Sequence, residues 1–238
     1  MLSCGFLLQR LKLAHKKARV ITVFTKPTSA PFTEMAKRYM QKCSYADAQK
    51  FFSDRKKEDI QALKHLGCDY IHLDFADAAW RKSSLFHKYP LLRSFLFYMP
   101  TLAHVYPNEK KEFSGRLSND DYGLKQTIKK KLEMLIPKSS KTLLFAPLGV
   151  GGHADHVLLQ ETAQAIGITT IYWEDFPYNI SRQAVKTLLN KKPFHLKFKI
   201  FDNISRKQTL IKFYTSQIPA LFPSGNIPVV TEKYYTIL

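Results

Sequence analysis

Two histidines and an aspartate follow paired glycines in Gly151-Gly-His-Ala-Asp-His156, and this hexapeptide is the part of the chain best equipped for chemistry. Glycines let a backbone turn closely against a ligand, while His153 and His156, three residues apart in a first helical turn, project from one side toward a common centre. Imidazoles and a carboxylate such as Asp155 suit zinc, which takes such ligands at about 2.0–2.2 Å. A catalytic zinc normally holds three protein ligands and an open position for water, so the segment alone does not supply the set. The plainer alternative is a solvated polar helix start, with Asp155 favourable at the positive helix end. The Lys-Ser/Thr ending that would make the glycines a phosphate-binding P-loop is absent.

The elements around this segment must place it. Residues 141–147 form a nearly continuous apolar run, the kind of strand buried on both faces of a parallel sheet. The glycine turn lies at its carboxyl end and opens into a helix reaching about residue 165, which is where open α/β sheets bind ligands. Elsewhere helical and strand-like periods alternate, the signature of a layered α/β fold. Helices are expected from residue 6 to near the Lys16-Lys17 pair, over 45–66 with Gly67 as C-cap, 122–135, 182–189 and 204–217; strands over 19–25, 69–73, 169–172 and 194–201. Leu196, Phe198 and Ile200 share one face of the last strand, opposite His195, Lys197 and Lys199, which places it at or near a sheet edge. An irregular tail follows residue 217. The region 76–118 is aromatic-rich and least regular, with core packing favoured over a helical insertion above a pocket. No internal repeat or low-complexity linker divides the chain, so a single domain over residues 1–238 is expected.

Composition narrows the class. With 238 residues, 45% hydrophobic and 24% charged, the chain is neither disordered nor collagen-like. No apolar run approaches the roughly 18 residues of a membrane span. The start, MLSCGFLLQR, carries no export signal, and Cys4, Cys43 and Cys68 have neither disulfide-framework count nor metal spacing, which reads as reduced thiols and a cytoplasmic location. Lys and Arg number 37 against 19 Asp and Glu, a net +18 that attracts anions non-specifically. The cations are scattered without a nucleic-acid-binding motif, so a solvated lysine-rich surface is favoured over a specific nucleic-acid partner.

Leu148-Gly-Val-Gly-Gly-His-Ala-Asp-His156 resembles the second motif of the LmbE-like, or PIG-L, zinc-dependent deacetylases of N-acetylglucosamine-type sugars. The resemblance continues in order along the chain: Arg55-Lys-Lys-Glu-Asp-Ile-Gln-Ala-Leu-Lys-His-Leu-Gly67, Tyr70-Ile-His-Leu-Asp-Phe-Ala-Asp-Ala78, Tyr172-Trp-Glu-Asp-Phe-Pro-Tyr178 and Tyr214-Thr-Ser-Gln217. It implies a three-layer α/β/α Rossmann-like fold with a mostly parallel sheet, a Zn2+ cofactor with His156 as a ligand, His153 as oxyanion stabiliser, Asp155 as the group orienting His153, and Arg55 and Asp77 as contacts to sugar hydroxyls. Arg55 paired with a neighbouring carboxylate on its helix and Asp77 capping a turn are the alternatives for those two. Glu174 and Asp175 are candidates for the rim of the same pocket, against simple solvation. The family opens with a strand and an H-x-D-D motif, whereas here Leu2-Ser-Cys-Gly5 stands almost at Met1. That pattern implies a missing first strand, two missing zinc ligands and a missing general base, hence impaired activity. Loss of an interior strand would expose backbone edges, which favours a misplaced start or a truncation over a decayed pseudoenzyme. With His156 and His153 alone, weak zinc binding is expected. The function expected is therefore an amide hydrolase acting on an acetamido sugar or glycoconjugate. The alternatives are a non-catalytic sugar- or nucleotide-binding protein on the same scaffold and a basic nucleic-acid binder.

Overall fold

The computed structural model describes residues 2–89, 91, 93–137, 139 and 141–237. In chain order the elements are α1 (Gly5–Leu13), β1 (Arg19–Lys26), α2 (Glu34–Lys42), α3 (Ala48–Leu66), β2 (Asp69–Ala76), α4 (Ser84–Lys88), α5 (Arg93–Tyr98), α6 (Pro100–Ala103), α7 (Glu109–Glu112) and α8 (Asp121–Leu135). They continue with β3 (Leu144–Pro147), α9 (Ala154–Ile166), β4 (Thr170–Trp173), α10 (Arg182–Leu189), β5 (Phe194–Ile200), α11 (Ile204–Lys212), α12 (Ile218–Leu221) and β6 (Glu232–Ile237). Two compact units share them, Met1–Glu109 with Phe201–Val230, and Lys110–Ile200 with Thr231–Leu238.

In the first unit β1 and β2 pair in parallel, Arg19 opposite Asp69 through Thr22 opposite His72, and α3 packs on β1. The ends of α3 are chemically set: the Asp47 side chain accepts from the Lys50 N–H, and Gly67 closes the helix at φ +67°, as its sequence position predicts. Phe51 and Phe52 bury against Trp80, Met35 and Met40, with the Phe52 and Trp80 rings edge to face at 5.0 Å. Leu63 and Leu66, further along α3, join Leu8 and Leu210 in another cluster. The aromatic stretch after β2 is only partly core: Trp80, Leu96 and Tyr106 are buried, whereas Leu91, Phe95, Phe97 and Tyr98 are exposed. Among the described residues no helix is long and apolar enough to cross a membrane, and all three cysteines are free.

The polar face of α3 holds the Tyr214–Ser216 segment. Glu58 accepts from the Thr215 hydroxyl (2.7 Å), the Ser216 N–H (2.7 Å) and the Ser216 hydroxyl (2.6 Å). Beside it, Asp59 accepts from Tyr214 Oη (2.6 Å) and Thr22 Oγ1 (2.8 Å) and lies 2.8 Å from His72 Nε2. Burial pushes the Asp59 carboxyl up, but the bonds from His72, Tyr214 and Thr22 outweigh it and hold it below the usual range. A depressed folded pKa contributes stability that is fully present above the unfolded value, about 3.9, and is lost as pH falls through the folded value. Asp59→Asn is therefore expected to lose about 1.5–3 kcal/mol at pH 7 and to show a flatter acid limb in urea titrations between about pH 5 and 2. Parallel curves for the two proteins would contradict the assignment.

In the second unit β3 and β4 run parallel, Leu144 opposite Thr170 to Pro147 opposite Trp173. The tail after residue 217, expected to be irregular, instead ends in β6, which inserts antiparallel between β4 and β5 to give the order β3-β4-β6-β5. The reason is burial on both flanks: Tyr234 and Tyr235 are inside, and Tyr234 stacks on Phe198 at 4.6 Å. The four-stranded sheet is thus mixed, while β1–β2 and β3–β4 are the expected parallel pairs, and β5 lies at the edge as its alternation implies. Ala146, Leu148, Val150, Tyr172, Val185, Phe194 and Tyr235 form the core beneath the glycine turn; each large side chain contributes about 1.5–3 kcal/mol on burial.

Candidate functional site

The turn between β3 and α9 is pinned from three directions. Leu148 and Val150 are fully buried anchors, and the Leu148 N–H extends the β3–β4 ladder to Trp173 O at 2.9 Å. Asp175, in the loop after β4, accepts the N–H groups of Gly149 and Val150 on one oxygen, Oδ2, at 2.7 Å each. Gly152 accepts on its carbonyl from the Gly115 N–H at 2.9 Å. This last approach requires glycine: at φ +71°, a Cβ on Gly152 would meet Phe113 O and Gly115 N at 2.8 Å. Gly152→Ala is expected to cost about 1–3 kcal/mol in backbone strain, before the displaced neighbours are counted. A melting temperature within 1 °C (roughly, for a domain of this size) of the unsubstituted protein would show that the 113–115 strap yields freely.

At the end of this turn the histidines diverge in their partners. His153 is the N-cap of α9; its Nδ1 accepts from the Asp155 N–H at 3.2 Å. An accepting Nδ1 carries no hydrogen, which places the ring proton on Nε2, 3.0 Å from Glu112 Oε1. His156, one turn into α9, places Nδ1 3.0 Å from Asp175 Oδ1. The two imidazole centroids are 5.1 Å apart, so the three-residue spacing does bring them together. Phe113 packs edge-on against His153 at 5.1 Å, and Tyr178 lies 5.7 Å from His156, giving the pair an aromatic wall. Asp155 is buried in the first turn of α9.

Glu174 and Asp175, candidates for the pocket rim against simple solvation, are both buried. Glu174 accepts from Tyr235 Oη (2.6 Å) and pairs with Lys233 (3.3 Å), which ties its loop to β6; burial and this carboxylate push the Tyr235 hydroxyl well up. Glu112, Phe113 and Tyr178 are site residues to which no role attaches from sequence. Tyr178 closes a quoted motif, whereas Glu112 lies in an irregular lysine-rich stretch with nothing to mark it. Arg55 and Asp77 belong to the first unit, and there they meet each other: Arg55 Nη1 is 3.7 Å from Asp77 Oδ2. The guanidinium also lies over Phe52 at 4.8 Å, and Asp77 caps the turn Ala78–Trp80 by accepting from the Ala79 N–H. Asp77 thus caps a turn, and Arg55 pairs with this carboxylate outside α3 rather than with one on its own helix. Among the described residues, Arg55 Nη1 is nevertheless buried without a hydrogen-bond acceptor.

Zinc is what the family resemblance implies at His156. Among the described residues no group of three or more His, Cys, Asp and Glu side chains could hold a metal ion. Of the two histidines, His153 already has both ring nitrogens engaged. The donor set present therefore falls short of a closed zinc site.

Comparison with known proteins gives the context. The solved deacetylase of the teicoplanin biosynthesis pathway, in complex with bog, superposes with a TM-score of 0.72 at 21% identity, covering 98% of this chain and 91% of that one. The antimicrobial reagent A40926 pseudoaglycone deacetylase superposes at 0.68 and 19% identity, covering 100% and 91%. These likenesses show the fold, the Rossmann-like α/β/α class expected. The 2'-N-acetylparomamine deacetylase of Streptomyces fradiae is 26% identical over 189 residues, 77% of this chain; the chain spans about half, 55%, of that relative. The family described as PIG-L: GlcNAc-PI de-N-acetylase matches residues 1–166, well over half of the sequence, and the chain belongs to this PIG-L family.

Proposed function

We propose that the chain is a cytoplasmic deacetylase that hydrolyses the amide of an N-acetylglucosamine-type sugar or glycoconjugate. The observation that carries the reading is the pair His153 and His156, 5.1 Å apart on a turn clamped by Asp175, with opposite ring nitrogens facing carboxylates at 3.0 Å. The relative named as a 2'-N-acetylparomamine deacetylase supports the substrate class. Amide hydrolysis needs water to attack the acetyl carbonyl, a donor for the oxyanion that forms, and a proton for the departing amine. His153 supplies the oxyanion donor through its Nε2–H, which passes from Glu112 to the oxyanion as that charge develops, and the Asp155 backbone N–H orients the ring through the N-cap bond. Arg55 and Asp77 contact sugar hydroxyls, and the unsatisfied Arg55 Nη1 supports that role. Zinc is part of the proposal, with His156 as one ligand. The described residues do not complete its site, and the roles of His153 and Asp155 stand without it.

That same shortfall favours a second reading, a non-catalytic sugar- or nucleotide-binding protein. Incubation with N-acetylglucosaminyl conjugates, followed by proton NMR of free acetate and by calorimetric titration, separates the two. The deacetylase reading expects acetate to accumulate with turnover. Saturable heat without acetate would establish the binding reading, and neither signal would overturn both.

A further inference from the structure

We propose that Asp175 is a positioning residue that fixes the ring tautomer of His156, holding hydrogen on Nδ1 and leaving Nε2 as the ring's lone-pair donor. The two neighbouring imidazoles then stand in opposite tautomers, His153 presenting an N–H and His156 a lone pair. The inference deepens the deacetylase reading, which it rests on for its purpose, but its geometry is independent of activity.

Asp175 is fully buried, and its two oxygens have different work. Oδ2 is occupied by the N–H groups of Gly149 and Val150, which fixes the carboxylate plane relative to the turn leading into α9. Oδ1 lies 3.0 Å from His156 Nδ1. Both atoms are buried and, among the described residues, neither has any other hydrogen-bond partner; the pair is close enough to bond but not in line. A carboxylate can only accept. With hydrogen on Nδ1, a small ring rotation completes a charge-assisted bond and satisfies both orphaned atoms. With hydrogen on Nε2, two lone pairs would face each other in a buried setting, leaving both atoms unsatisfied. A carboxylate behind a histidine commonly sets which ring nitrogen is free for chemistry. Here the same carboxylate also holds the glycine turn, so loop position and ring identity are set by one residue. His153 shows the contrast, because its Nδ1 accepts from the Asp155 N–H.

The test is the nitrogen–proton NMR spectrum of protein labelled in histidine, taken near pH ~8, above the ordinary imidazole range. His156 is identified among the 8 histidines by the signals missing in His156→Ala. The unsubstituted protein should show His156 in the Nδ1–H form. Asp175→Asn should invert it to Nε2–H, because the amide oxygen is drawn to the two backbone N–H groups and its NH2 then faces Nδ1. An Nε2–H His156 in the unsubstituted protein overturns the proposal, as does an Asp175→Asn spectrum with the Nδ1–H form retained. If Asp175→Asn does not fold, the unsubstituted spectrum alone decides. A protein that releases no acetate still answers the question, so failure of the tautomer assignment and failure of the deacetylase reading remain distinct results.

Discussion

His156→Ala is expected to reduce acetate release by more than about a thousandfold, roughly 4 kcal/mol of lost transition-state stabilisation, and to remove whatever zinc the protein carries. Nδ1 of this imidazole faces Asp175, which leaves Nε2 as the nitrogen turned to chemistry in the proposed tautomer. Structure should survive the change: the side chain is 30% exposed, and the loss falls on Asp175 Oδ1, already without a hydrogen-bond partner among the described residues. Circular dichroism and metal analysis on the same sample check this. Turnover within tenfold (about 1.4 kcal/mol) of the unsubstituted protein would remove His156 from the reaction.

His153→Ala is expected to behave differently. Loss of a single oxyanion donor typically lowers kcat about a hundred- to a thousandfold, or roughly 2.7–4 kcal/mol, with KM little changed. The substitution also deletes the N-cap bond to the Asp155 N–H, which adds about 1 kcal/mol of helix destabilisation visible in the melting temperature. Metal content and rate should therefore dissociate, zinc staying near its original level while kcat falls. Equal loss of zinc in His153→Ala and His156→Ala would make both histidines ligands and move the oxyanion role to another group.

The contrast between these histidines shows how far sequence carries. Their adjacency follows from spacing alone, because residues three apart share a helix face. Their partners do not follow: Glu112 lies 41 positions before His153, and Asp175 19 after His156, so only the tertiary fold selects them. A helix end is legible where its cap is chemical, as at Gly67, which stands at positive φ. Glu34–Lys42 carries a signal of the same kind, Thr33 as cap with Met35, Ala36 and Met40 buried, in a stretch given no element from sequence. Strand β6 was hidden for another reason: Tyr234 and Tyr235 gain their burial from β4 and β5, whose pairing is non-local. The buried state of Glu174 and Asp175 escapes composition likewise, because carboxylates are ordinarily exposed unless partnered.

Hydrolysis itself is tested most directly by running the reaction of an N-acetylglucosaminyl conjugate in 18O-labelled water and measuring acetate and free amine together. Attack of water on the acetyl carbonyl with cleavage of the C–N bond predicts equal amounts of amine and acetate, each acetate carrying one oxygen from solvent, and none of either with His156→Ala. Substrate binding without acetate, or acetate formed without solvent oxygen, would contradict the account.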